Sequence, residues 1–185
     1  MKIFKEKDLE IIVFKPNVFS DSRGFFLETS RESILKDHGI PPLVQHNQSR
    51  SEKGVLRGLH YQLEPLQGKL VRCSYGKIFD VAVDIRISSP SFGKSFSIIL
   101  DDILHEQIWI PAGFAHGFYV LSDYADVCYQ SSEYYNPNMQ KGIAWNDSEL
   151  NIKWPIDLEV NKVIISEKDK ENVYLRDISK KDLPY

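Results

Sequence analysis

The feature that most constrains the fold is a succession of short β-type segments, which runs through most of the 185 residues. Each segment is rich in β-branched and aromatic residues, and turn residues such as those of Ser20–Gly24 and Pro111–Gly113 separate one segment from the next. Many short strands at this spacing predict a β-sandwich or a β-barrel. The candidate strands are Ile11–Phe14, Phe25–Thr29, Leu43–Ser49, Val55–Gln62, Lys69–Tyr75, Lys77–Ile87, Ser95–Asp101, Glu106–Ile110, Gly117–Leu121, Ala125–Ser131 and Gly142–Trp145.

Helical signals are few and short. Ser30 can cap a helix over Arg31–Asp37, which Gly39 and the prolines after it would end. A second short helix can begin after Ser166, with Asp169 in the third position of a capping box.

No linker, repeat or low-complexity tract divides the chain. We therefore expect residues 1–185 to form a single domain, in which residues from about 155 to 185 are a short helical or extended tail that packs on the barrel.

The segment from Ile78 to Arg86 bears on whether the interior of the fold is polar. Phe79, Val81, Val83 and Ile85 fall on one face of a strand, while Asp80 and Asp84 share the other face with Ile78 and Ala82. A barrel with a polar pocket in its interior would use such a strand. A sandwich strand with both carboxylates in water fits the alternation equally well.

Charge and composition exclude several classes of protein. A net charge of −3 gives no general attraction to nucleic acid or to anionic membranes. No apolar run approaches the roughly 18 residues needed to span a bilayer, and Met1–Glu10 does not read as a signal peptide. Two cysteines outside any Cys-x-x-Cys pair favour free thiols. These features predict a cytoplasmic protein that binds neither nucleic acid nor membranes.

One strand carries two candidate site residues, Arg57 and His60. An imidazole is a natural general base near neutral pH. Strict alternation would place Arg57 and His60 on opposite faces, but Gly58 could permit a bulge that turns both toward one site. The alternative is that His60 is an ordinary hydrogen-bonded structural histidine.

Two further candidates also have a structural alternative. Lys69 opens an apolar strand, where its ammonium could stabilise an oxyanion or simply discourage pairing with another chain at a sheet edge. Tyr129 belongs to a cluster of tyrosines, which could pack in a barrel or donate a proton within it.

The stretch from Pro111 to His116 resembles the second motif of cupin barrels, whose histidine often binds a metal. The His-x-His pair of the first cupin motif is missing, because Tyr61 and Gln62 follow His60. A metal needs three or four converging ligands, so we expect neither a metal nor another cofactor.

Six motifs together resemble one family. They occur in the expected order between about Lys15 and Trp154, with a weaker match to Asp169, and they are Asp21–Glu28, Gln45–Ser49, Val55–Gln62, Gln67–Arg72, Phe79–Pro90 and Ile110–Phe118. The chain is similar to the dTDP-4-dehydrorhamnose 3,5-epimerases. The resemblance implies an all-β, cupin-type jelly-roll barrel with short peripheral helices that acts as a metal-independent homodimer on a nucleotide-diphospho-sugar.

The resemblance also implies roles for individual residues. His60 would be the base, with Asp169 orienting it, Tyr129 the acid on the opposite face of the sugar, and Lys69 the group that stabilises the enolate. Phe26 and Tyr135 would stack on the nucleobase, in part across a dimer. The remaining ligands of the nucleotide and diphosphate would be Arg23, Glu28, Gln45, Asn47, Arg57, His116 and Lys168.

The chain departs from the family pattern at two positions. Gln140 stands where an acidic residue is frequent, and His46 where aspartate is common; we expect both near the nucleotide end, with Gln140 contacting the substrate. The resemblance implies an epimerase that inverts carbon 3, carbon 5 or both in a nucleotide-linked 4-keto-6-deoxy sugar, with dTDP-4-dehydro-6-deoxyglucose as the expected substrate and dTDP-4-dehydrorhamnose as the product. The alternatives are an epimerase of carbon 3 alone, an epimerase of a GDP-linked 4-keto hexose or heptose, and a non-catalytic sugar-binding cupin.

Overall fold

Two antiparallel sheets face each other in the computed structural model, which describes residues 1–156 and 163–185. The first sheet has the order β1 (Lys2–Glu6), β2 (Ile11–Lys15), β10 (Gln107–Ile110), β7 (Lys69–Tyr75), β12 (Tyr124–Ser131) and β5 (Gln45–Glu52). The second has the order β13 (Gln140–Gly142), β6 (Leu56–Gln62), β11 (Phe114–Val120), β8 (Lys77–Asp84) and β9 (Ser95–Asp101). A separate hairpin pairs β3 (Val18–Asp21) with β4 (Gly24–Leu27). The predicted all-β, jelly-roll architecture is confirmed.

The space between the sheets holds the main apolar core. Strands of both sheets contribute to it, for example Val71 and Val127 from the first and Ile78, Ala82 and Phe118 from the second. Their side chains alternate with residues that point outward, so each strand has an interior and an exterior face.

Both sheets are also covered on the outside. Leu35 of the helix α1 (Glu32–Asp37) packs with Phe14 and Trp109 on the first sheet. The segment after β13 covers the second sheet with leucines such as Leu175 and Leu183. Burying a leucine contributes about 1.5–3 kcal/mol, so apolar contact is enough to hold this tail in place.

The two faces of β8 are now distinguished. Asp80 and Asp84 are both fully buried, and Ile78 and Ala82 beside them belong to the interior core. Val81 and Val83 pack under the tail. The barrel interpretation of this strand is confirmed, and the alternative with both carboxylates in water is wrong.

The tail includes α2 (Glu167–Lys170) and two turns of 3₁₀ helix at Leu175–Asp177 and Lys180–Asp182. The hydroxyl of Ser166 accepts a hydrogen bond from the backbone N–H of Asp169, as the capping prediction required. The part of the predicted tail between residues 157 and 162 lies outside the described residues. Within the part that is described, no helix is long and apolar enough to cross a membrane.

Several predicted boundaries were wrong. The helix α1 begins at Glu32 with Arg31 as its N-cap, and no side chain caps it, so Ser30 does not play the predicted role. The strand expected at Gly142–Trp145 lies earlier, at Gln140–Gly142. The strands Lys2–Glu6 and Val18–Asp21 were missed, because both are largely exposed and carry no apolar alternation.

Candidate active site

A cavity of about 180 Å³ lies between the two sheets and is lined largely by polar side chains. Predicted site residues meet there from both sheets, since β6 and β11 of the second sheet face β7 and β12 of the first. Those that line the cavity are Arg57, His60, Lys69, His116, Tyr129, Tyr135 and Gln140.

A β-bulge brings Arg57 and His60 to the same cavity. The register of β6 against β11 pairs His60 with His116 and Arg57 with Phe118, so β6 uses one residue more than its partner between these pairs. The bulge includes Gly58, whose φ is +113°. A Cβ at Gly58 would lie 2.6 Å from the backbone of Gly117, so only glycine fits. The predicted bulge is confirmed.

His60 forms a dyad with Asp169 from α2. The Nε2 atom of His60 lies 2.6 Å from Oδ1 of Asp169, which is buried, while about a quarter of the His60 side chain is exposed. Burial alone would raise the pKa of Asp169. The hydrogen bonds from His60, the Gly58 N–H and Ser166 outweigh it and lower this pKa, so Asp169 is a carboxylate at neutral pH.

An ionised Asp169 determines which nitrogen of His60 is free. The carboxylate accepts the Nε2–H bond, so in the neutral imidazole the lone pair is on Nδ1. This is the protonation state that a general base requires.

Lys69 enters the cavity at the start of β7. Removal of its ammonium from water lowers the pKa of Lys69 to about 8, although the nearby carboxylate of Asp80 opposes this shift. The side chain is therefore mostly cationic at neutral pH and places a positive charge beside any ligand in the cavity.

Tyr129 reaches the cavity from β12, on the sheet opposite His60. Burial and the neighbouring Tyr135 raise the pKa of Tyr129, against the smaller opposing effect of Arg57. Its phenol stays protonated at neutral pH and can donate a proton.

The predicted nucleotide-end residues form a hydrogen-bonded network. The amide of Gln45 donates to Asn47 over 3.0 Å and accepts from the backbone N–H of Tyr135 over 2.8 Å. The hydroxyl of Tyr135 donates to Oε1 of Gln140 over 2.6 Å, and Nζ of Lys168 donates to the same oxygen over 3.3 Å. Gln140, which stands where an acidic residue is frequent in the family, thus accepts hydrogen bonds from Tyr135 and Lys168.

Three predicted ligands lie elsewhere on the chain. Phe26 on the β3–β4 hairpin is 70% exposed, Arg23 pairs with Asp21, and Glu28 just after the hairpin pairs with Arg31. The chain by itself does not bring them to the cavity, so their role stays a prediction. His46 is exposed and also lies outside the cavity.

Some lining residues were not predicted. Ser49, Gln62, Gln67 and Phe118 also line the cavity. Ser49 lies two residues after Asn47 in β5, and Gln62 lies two residues after His60 in β6. Residues two apart share a face of a strand, so alternation alone could have identified both as lining residues.

The metal prediction concerns the same cavity. Throughout residues 1–156 and 163–185, no group of three or more His, Cys, Asp or Glu side chains is arranged to hold a metal ion. His60 and His116 are each hydrogen-bonded through Nε2 to a single aspartate.

Comparison with known proteins agrees with this geometry. The sequence model of the dTDP-4-dehydrorhamnose 3,5-epimerase family matches residues 8–177. A relative of that description from Shigella flexneri is 48% identical over 172 residues, which cover 91% of this chain and 93% of the relative.

Solved structures are similar over nearly the whole chain. The dTDP-6-deoxy-D-glucose-3,5-epimerase from Legionella pneumophila, in complex with dTDP-4-keto-L-rhamnose, has a TM-score of 0.95 and 44% identity, and the match covers 99% of this chain and 97% of that one. A 3′-monoepimerase from Streptomyces bikiniensis, in complex with dTDP-quinovose, has a TM-score of 0.83 and 32% identity and covers 90% and 84%.

The fold and the cavity thus define a cupin-like carbohydrate epimerase, an isomerase built on a β-barrel. Within that class, the chain belongs to the dTDP-4-dehydrorhamnose 3,5-epimerase family.

Proposed function

We propose that this epimerase inverts carbons 3 and 5 of dTDP-4-dehydro-6-deoxyglucose, with His60 as the base and Tyr129 as the acid. The observation that carries the proposal is their placement on opposite walls of one cavity, His60 from the second sheet and Tyr129 from the first. Inversion needs a base on one face of the sugar and an acid on the other.

The chemistry begins at the carbon beside the ketone. The C–H bond breaks, its proton goes to Nδ1 of His60, and the electron pair becomes the enolate of the carbon-4 ketone. Lys69 stabilises the negative oxygen, an effect worth several kcal/mol for a well-placed cation. Asp169 favours the imidazolium that forms on His60.

The second half-step completes the inversion. The Tyr129 hydroxyl gives its proton to the opposite face of the carbon, a new C–H bond forms, and the ketone returns. Exchange with solvent then restores the neutral imidazole of His60 and the phenol of Tyr129. The scheme requires no redox cofactor, since no net oxidation occurs.

The rest of the substrate follows from the network beside the cavity. We assign Arg57 and His116 to the diphosphate, since both line the cavity, and Tyr135 to the base, with Gln45, Asn47, Gln140 and Lys168 around it. The relatives support dTDP as the nucleotide.

We further propose that the protein is a homodimer, in which the hairpin of one copy brings Arg23 and Phe26 to the nucleotide end of the other. The exposure of Phe26, Phe19 and Phe25 on this hairpin supports the proposal. A cytoplasmic location is supported by the two free cysteines, Cys73 and Cys128.

The alternative function is inversion at a single carbon. The similar 3′-monoepimerase shows that the fold also serves inversion at one carbon, so the number of inverted carbons must be measured.

Incubation with dTDP- and GDP-linked 4-keto sugars in deuterated water tests the function. We expect deuterium at carbons 3 and 5 of the dTDP sugar by NMR, together with the inverted product. The His60→Asn variant should be about 10²–10⁴-fold slower at both carbons while keeping its melting temperature. Deuterium at carbon 3 alone, a preference for the GDP sugar, or no exchange with a folded protein would each contradict the proposal.

A further inference from the structure

A second buried carboxylate–imidazole pair lies beside the first. Asp80 on β8 is fully buried, and its Oδ2 lies 2.8 Å from Nε2 of His116 on the neighbouring strand β11. His116 is in turn the register partner of His60. The two imidazoles therefore stand next to each other on one wall of the cavity, each bonded through Nε2 to its own carboxylate.

The bonding of Asp80 is incomplete for a purely structural residue. Its Oδ1 atom is buried and has no hydrogen-bond partner within the described part of the chain. An unpaired buried carboxylate oxygen costs free energy. Asp84 on the same strand shows the contrast, because its oxygens accept bonds from Arg86, Ser89 and Ser91.

Asp80 also acts on the charge of Lys69, which belongs to the facing sheet. Its carboxylate opposes the loss of charge that burial imposes on the lysine. The other charged or titratable side chains that line the cavity with Lys69 include no carboxylate; they are Arg57, His60, Tyr61, His116, Tyr129 and Tyr135, and Asp169 behind His60 is bonded to that imidazole. Asp80 is therefore the anion that favours a charged Lys69.

We propose that Asp80 is a positioning residue of the epimerisation, which holds the His116 ring with Nδ1 toward the cavity and serves as the buried counter-charge of the Lys69 ammonium. The inference rests on the proposed function, in which His116 and Lys69 contact the anionic diphosphate and enolate. Asp80 touches neither and acts through both side chains.

The Asp80→Asn variant tests this role, because it keeps the size of the side chain and removes its charge. We expect kcat to fall roughly 10-fold or more. The alkaline limb of the pH profile should move to lower pH, because Lys69 loses its proton more readily without the carboxylate. A structural defect alone would lower the amount of folded enzyme without moving this limb.

Asp126→Asn is the matched control. Asp126 is also a buried barrel carboxylate, but it pairs with Arg50 and Gln48 outside the cavity. Its variant should keep the wild-type pH profile. A profile of Asp80→Asn that matches the wild type in kcat and in its alkaline limb would overturn the proposal.

Nitrogen NMR of the unmodified protein gives a second readout. We expect His116 to be protonated at Nε2, the nitrogen that bonds Asp80; an Nε2 without a proton overturns the proposal even where Asp80→Asn fails to fold. A wild type that shows no epimerisation would contradict the proposed function and would leave the role of Asp80 to a different measurement. Titration of the Lys69 amine in both proteins then decides, since an unchanged pKa in Asp80→Asn would also overturn the inference.

Discussion

Tyr129 is the residue whose chemical role can be removed with the least change of shape. Its ring packs beside the interior core, and its hydroxyl faces the cavity with a raised pKa that keeps the proton in place. Phenylalanine retains the ring and deletes the donor.

We therefore expect Tyr129→Phe to separate exchange from inversion. His60 can still remove a hydrogen and return deuterium to the same face, so deuterium should enter the sugar faster than inverted product accumulates. Mass spectrometry and NMR in deuterated water measure both rates. Equal rates near those of the wild type would exclude Tyr129 as the acid and direct attention to Tyr135 or a bound water.

The sequence predicted these residues unevenly. Alternation indicated which side chains of β6 and β8 share a face, and Gly58 indicated the bulge. The bond between His60 and Asp169 joins positions more than a hundred residues apart, and periodicity cannot reveal such a contact; only the family resemblance suggested it. The contact of Asp80 with His116 was not predicted, because the two residues are diagonal neighbours on adjacent strands rather than register partners.

At the scale of the element, two strands of the main sheets were predicted best. Lys69–Tyr75 and Ser95–Asp101 have the predicted bounds. β1 and the β3–β4 hairpin gave weaker signals, because their side chains are mostly exposed.

The turn that follows β8 is held by one buried side chain, Asp84. Burial would raise the pKa of Asp84, but hydrogen bonds from Arg86, Ser89 and Ser91 outweigh it and lower the pKa from 3.8 to about 2. A lowered folded-state pKa contributes stability that is complete above about pH 4 and is lost as the pH falls through about 2.

We expect Asp84→Asn to lower the free energy of unfolding by about 3–5 kcal/mol at neutral pH, because Arg86 loses a buried partner. Between pH 4 and pH 2 the difference from the wild type should shrink. Thermal melts across this range measure it; a constant difference would contradict the assignment.

At the scale of the whole molecule, we expect the exposed β3–β4 hairpin to contact a second copy of the chain in a dimer. Sedimentation should give about twice the 21.4 kDa mass of the chain. Phe26→Ser should weaken the dimer, since it removes apolar contact area. Tyr185→Ser is the control, because this aromatic is 87% exposed and lies on the tail. A monomeric wild type, or equal effects of both substitutions, would contradict the proposed interface.

The tail has a consequence for how the protein becomes active during its synthesis. Every side chain that lines the cavity precedes β13 or belongs to it, whereas Asp169 follows on the segment that docks over the second sheet. A nascent chain that has left the ribosome only as far as Gly142 carries the strands β1 to β13, yet its His60 has no carboxylate to orient it. The dyad of His60 and Asp169 is therefore completed only when translation has delivered the tail.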